Sequence, residues 1–117
     1  MRLLGGFLAA ATVGCVLAAG CASNCEMVAI AALHVTVVSA SGEPVCDARI
    51  VARSDRAFEE ELRASNSNCS YGGAFEEAGT FSLEVTTASS TRLVKNIKVS
   101  EDKCHPLTRE VVVTMDQ

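Results

Sequence analysis

Hydrophobic and polar positions alternate along most of the chain after residue 32. Leu33, Val35 and Val37 fall on one face and His34 and Thr36 on the other. Ala48, Ile50 and Ala52 repeat the pattern, and Thr80 to Thr86 shows it most clearly, with Phe81, Leu83 and Val85 against Ser82, Glu84 and Thr86. Ile97 and Val99 close a segment that starts at Leu93; Val111, Val113 and Met115 form the last. A period of two is the signature of half-buried strands. Polar and Gly/Pro-bearing stretches separate them at 39–44, 65–68, 76–79, 87–91 and 101–106, as turns require. Tyr71 to Phe75 adds a short Gly-bearing strand. Phe58 to Ala64 stays open. Phe58 and Leu62 are four apart around Glu59-Glu60-Glu61, which suits one face of a helical turn or one face of an edge strand. Seven short segments at regular spacing predict an all-β, antiparallel, seven-stranded Ig-like sandwich.

The first twenty residues do not follow this pattern. Arg2 is followed by an uncharged, Ala- and Gly-rich run to Gly20, which reads as a signal-peptide helix. The run is about as long as a short membrane span, but it lacks the Leu and Ile of an anchor. It ends Leu17-Ala18-Ala19-Gly20-Cys21, which resembles the lipobox of bacterial lipoproteins. The resemblance implies a diacylglyceryl group on the Cys21 sulfur and cleavage just before it. Cys15 is a poorer candidate because the run before it is short. An ordinary signal peptide cut after Ala19 or Ala22 is the alternative. Ala22 and Ser23 follow Cys21 in place of the Asp that retains enteric lipoproteins at the inner membrane, which points to the outer membrane. The expected organisation is 1–20 signal peptide, 21–31 lipidated tether, 32–117 domain.

Setting aside Arg2, nine basic and fourteen acidic residues leave the exported part at −5. No basic cluster occurs, which argues against a nucleic-acid partner. With no Trp and one Tyr, a sugar-stacking platform is disfavoured. Once Cys15 and Cys21 are assigned to the leader and the lipid, Cys25, Cys46, Cys69 and Cys104 remain. Four cysteines in an exported domain read as two disulfides, and their wide spacing lacks the close pairs of a zinc site.

Three blocks in order carry a resemblance. Gly42-Glu43-Pro44-Val45-Cys46-Asp47-Ala48-Arg49-Ile50, then Tyr71-Gly72-Gly73-Ala74-Phe75 with Gly79-Thr80-Phe81-Ser82-Leu83-Glu84-Val85, then Cys104-His105-Pro106-Leu107-Thr108 before Val111-Val112-Val113 resemble the carboxypeptidase regulatory-like domain. That family has a transthyretin-like (prealbumin-like) β-sandwich, and the likeness covers about residues 32–116. It implies an exported module without catalytic activity of its own. The family's Gly-Tyr after the central strand is replaced here by Thr87 to Thr91. Transthyretin-like hydroxyisourate hydrolases end in Tyr-Arg-Gly-Ser, and this chain ends Val112-Val113-Thr114-Met115-Asp116-Gln117.

Strand parity orders the cysteines. With alternating strands and a crossing strand at 58–64, Cys46 and Cys69 share one end of the sandwich and Cys25 and Cys104 the other. The expected pairs are therefore Cys46–Cys69 and Cys25–Cys104, since bridged Cα atoms lie within about 7 Å. A helix at 58–64 that does not cross would move Cys69 to the other end.

His105 is the candidate for chemistry, as a metal ligand or general base with Asp102 or Glu101. The competing reading is a loop histidine bonded to backbone beside a disulfide. His34 lies on an outer strand face. Glu59, Glu60 and Glu61 with Glu76 and Glu77 could bind calcium, or form a solvated acidic surface; no Asp/Asn/Gly loop pattern accompanies them. The expectation is a non-catalytic, lipid-anchored envelope module with no cofactor, held in the membrane by its acyl chains. It meets an envelope protein or glycan through its loops or an open strand edge. The alternatives are a metal-dependent or enzymatic module centred on His105 and a carbohydrate-binding accessory domain.

Overall fold

The structure, a computed structural model, describes Cys25, residues 27–65 and residues 69–116. The expected signal peptide and the lipidation site at Cys21 lie outside the described residues. The described chain is all β. Its strands are β1 (Ala31–Val38), β2 (Arg49–Ser54), β3 (Glu59–Glu61), β4 (Arg63–Ala64), β5 (Ser70–Phe75), β6 (Gly79–Thr86), β7 (Thr91–Val99) and β8 (Arg109–Thr114). They form two four-stranded sheets, β4-β5-β1-β8 and β3-β2-β6-β7.

The alternation sets the core. Leu33, Val35 and Val37 of β1 meet Ile50, Ala52, Phe81, Leu83 and Val85 of the other sheet in one cluster of buried side chains, with Val113 and Met115 beside them. Each inward face therefore belongs to the residues the period of two selects. Ala48 lies just before β2 and is only partly buried against this core.

Two expectations are corrected. The described residues hold eight strands, because the segment 58–64 supplies two short strands to two different sheets. β3 pairs with β2 through Arg53↔Glu59, and β4 pairs with β5 through Arg63↔Gly72. Between them Leu62 is buried, and its N–H donates to Ile50 O at 2.8 Å. The chain crosses from sheet to sheet there without reversing, so the ends of the sandwich keep their order. The sandwich is also not wholly antiparallel: β8 runs parallel to β1, with Leu33↔Arg109 and Val37↔Val113 in register. Strands that reverse at each turn give the first and the last the same direction, and here those two are neighbours.

Side-chain bonds join the two sheets along both open sides of the sandwich. On the crossing side Glu60 points inward and its carboxylate accepts the Ala74 N–H at 2.7 Å, joining β3 to β5 of the facing sheet. Gly73 leaves the room: a Cβ there would lie 2.9 Å from Leu62 Cδ2 and 3.1 Å from Glu60 Oε1. On the other side two arginines span the sheets. Arg92 donates to Thr114 O at 3.2 Å and Arg109 to Lys98 O at 3.0 Å. Where β6 pairs with β7 the register shifts between Phe81 and Leu83, and Asn96 of β7 takes φ 63° at that bulge.

The two ends are stapled as parity requires. Cys46 and Cys69 are bridged with Cα atoms 4.6 Å apart, and Cys25 and Cys104 with Cα atoms 5.3 Å apart. Next to the first bridge, the buried Tyr71 hydroxyl donates to Val45 O at 3.1 Å and accepts from Ala48 N–H at 3.0 Å, tying β5 to the approach to β2. The Thr87–Thr91 stretch closes the β6–β7 hairpin through Thr87 N–H to Ser90 O at 2.8 Å.

Candidate functional site

Three segments meet at the Cys25–Cys104 end: Cys25 with residues 27–30, the turn after β5, and the loop leading to β8. Glu76 is the junction. It takes φ 61° as β5 turns back, and its N–H donates to Ile30 O at 2.9 Å. Its carboxylate accepts the Ile30 N–H at 2.7 Å. The same carboxylate lies 2.8 and 3.0 Å from His105 Nδ1. An ionised carboxylate only accepts, so Nδ1–H is the donor. Asp102 shapes the loop: its Oδ1 accepts the N–H groups of Cys104 and His105, each at 2.8 Å. Asp102 N–H returns to His105 O at 3.0 Å. Thr108 Oγ1 donates to Ala31 O at 2.6 Å, fixing the loop to β1.

The site thus differs from expectation in its partner. The His105 ring pairs with Glu76, 29 residues away, and Asp102 meets His105 through its backbone. Glu76 entered the sequence reading only as a turn residue and calcium candidate. No local pattern links it to His105; the pairing follows from the order β5-β1-β8, which sets the turn after β5 and the loop before β8 on either side of β1.

Both carboxyls are held below the usual carboxylate range. For Glu76 the main cause is the Ile30 N–H, followed by the His105 side chain; for Asp102 it is the His105 N–H and then the Cys104 N–H. A carboxyl depressed in the folded state contributes stability above its unfolded pKa, and that contribution fades as pH falls through the lower folded value. The urea midpoint of the native protein should therefore exceed that of Glu76→Gln at pH 5. The gap should narrow steadily toward pH 3. A gap independent of pH across that window would contradict the role given to the Glu76 charge.

The other acidic residues are dispersed. Glu59 and Glu84 flank Arg53 at 3.3 and 3.1 Å, and Glu61 meets Arg49 at 3.2 Å. The Glu84 hydrogen bond is the main reason the Arg53 guanidinium holds its proton even more firmly than usual. His34 lies on the outer face with Nδ1 2.7 Å from Glu110, so each histidine has its own carboxylate. Among the described residues no three His, Cys, Asp or Glu side chains gather closely enough to hold a metal ion.

The surface depressions are open. The one beside His105 encloses about 120 Å³ and is lined by Glu76, Glu101 to Cys104 and Pro106 as well. A larger cleft of about 500 Å³ lies at the opposite end, between Ser39 and Asp47, around the Cys46 bridge. Ligand pockets commonly hold about 300–1,000 Å³, so the cleft around Cys46 has the room that the depression beside His105 lacks. No protein-family model, no curated protein and no solved structure matches this chain.

Proposed function

We propose that this protein is a bacterial envelope lipoprotein. Cys21 carries the acyl chains, and the sandwich, as a module of the carboxypeptidase regulatory-like kind, binds or braces an envelope protein or glycan without catalysing a reaction. One observation carries the reading: Cys25 is bridged to Cys104. A disulfide there suits an exported chain. It also fastens the fold four residues after the cysteine of the lipobox-like Leu17–Cys21 motif. A second bridge, Cys46–Cys69, fits the same compartment.

The Glu76–His105 pair supports a structural role for His105. The Glu76 carboxylate serves the Ile30 backbone and the ring together, so the pair ties the N-terminal segment to the loop before β8. The cleft between Ser39 and Asp47 lies at the end away from the proposed anchor. That end is where a partner is expected.

The test is metabolic labelling with an alkyne fatty acid, combined with membrane fractionation. The native chain should carry label and sediment with the outer membrane. Cys21→Ser should lose label and accumulate as uncleaved precursor. Cleavage of the native chain after Ala19 or Ala22, without label, would remove the lipoprotein reading.

A further inference from the structure

We propose that the Cys25–Cys104 end seats directly on the lipid surface, with Met27, Val28, Phe75 and Leu107 entering the headgroup region. The proposal rests on acylation of Cys21. Among the described residues six large hydrophobic side chains are exposed, and four of them lie at this one end: Met27 at 100%, Val28 at 52%, Phe75 at 51% and Leu107 at 52%. The other two, Leu93 and Val112, sit apart on strands β7 and β8. Single exposed apolar residues are ordinary; their collection from three separate segments at one end is not.

Strand register brings them together. Phe75 stands opposite Ala31 on one side of β1. On the other side Arg109 is level with Leu33, and Thr108 Oγ1 donates to Ala31 O at 2.6 Å, with Leu107 the next residue back toward the Cys104 loop. Met27 and Val28 lie just ahead of Ile30, which Glu76 holds at 2.7 Å.

The tether sets the occupant. Only residues 22–24 separate Cys21 from Cys25, so their Cα atoms lie at most about 14 Å apart. The headgroup layer takes up roughly 6 Å of that distance. The disulfide joins Cys25 to the loop that carries Leu107, so this end of the sandwich cannot move away from the bilayer. Apolar side chains held there gain by entering the interface.

The charges nearby choose the lipid. At this end Asp55, Glu76, Glu77, Glu101 and Asp102 narrowly outnumber Arg56, Lys98, Lys103 and Arg109. Anionic headgroups would repel it, so the surface fits zwitterionic lipid.

The chain has no Trp, so one introduced Trp is the sole indole reporter. The acylated mature protein would be placed in phosphatidylcholine vesicles whose chains are brominated near the headgroup. Phe75→Trp and Leu107→Trp should be quenched at least about threefold more than Leu93→Trp, as expected for side chains at the headgroup–acyl boundary. Replacing a third of the lipid by phosphatidylglycerol should reduce that quenching. Intact mass of the same samples reports the acyl group. An acylated protein in which all three reporters are quenched equally would overturn the docking and leave the anchor standing. A mass without acyl chains would overturn both.

Discussion

Replacing Cys25 and Cys104 together by Ala should lower the stability of the domain by about 4.5 kcal/mol. The bridge spans a sequence separation of 79 residues. Closing so long a loop removes much of the freedom of the unfolded chain, and that freedom returns when the bridge is lost. The Cys46–Cys69 bridge spans 23 residues, and its removal should cost about 3.4 kcal/mol by the same relation. Domains of this size have total stabilities of about 5–15 kcal/mol, so either loss is a large share. The order of the two is the sharper expectation. Urea unfolding of the two double variants should give the lower midpoint for the Cys25/Cys104 pair. Its slope should also be steeper, because the unlinked chain exposes more surface. Equal stability of the native protein and the Cys25/Cys104 variant would show that the loop before β8 is held by the Asp102 and Glu76 hydrogen bonds alone.

The alternating segments were legible because burial on one face of a strand repeats every two residues. Phe81, Leu83 and Val85 are all buried, as are Leu33, Val35 and Val37. Residues 58–64 were not legible for a physical reason. Phe58, Glu60 and Leu62 all point inward, but the middle one is a carboxylate that spends its charge on the Ala74 N–H. An inward Glu inside a run of three breaks the apolar alternation. What remains is Phe58 and Leu62 four apart, a spacing that helix and strand share. The disulfides survived this ambiguity because the crossing at Leu62 does not reverse the chain. The parallel β1–β8 pair was hidden for another reason. Alternating directions give both strands one sense, but nothing local says that they are neighbours. The partner of His105 was hidden with them, since Glu76 reaches it only across β1. The export and lipidation read from the residues before Cys25 rest on the sequence, since those residues lie outside the described ones.

Phe81→Ala should be the most damaging single substitution in the core, at about 3–5 kcal/mol. Phe81 is 1% exposed and is the largest of the fully buried side chains. It sits in β6, a strand with neighbours on both sides, opposite Ser54 of β2 and Ile97 of β7. Its ring meets Phe58 edge-on, with centroids 6.2 Å apart and planes at 79°. Strand pairing on both sides restrains the backbone from closing the space a lost ring leaves. The loss also reaches β3. Phe58 lies at the turn into β3, where its carbonyl accepts the Ser54 N–H at 2.9 Å. Without Phe81 that turn loses its aromatic partner, worth about 1 kcal/mol beyond area. Phe58→Ala alone should cost less, because Phe58 is only partly buried. A double-mutant cycle should show the two losses summing to more than the double variant loses, by roughly 1 kcal/mol. Strict additivity would mean that the rings do not cooperate, and that β3 is held by Glu60 and Leu62 without help from the aromatic pair.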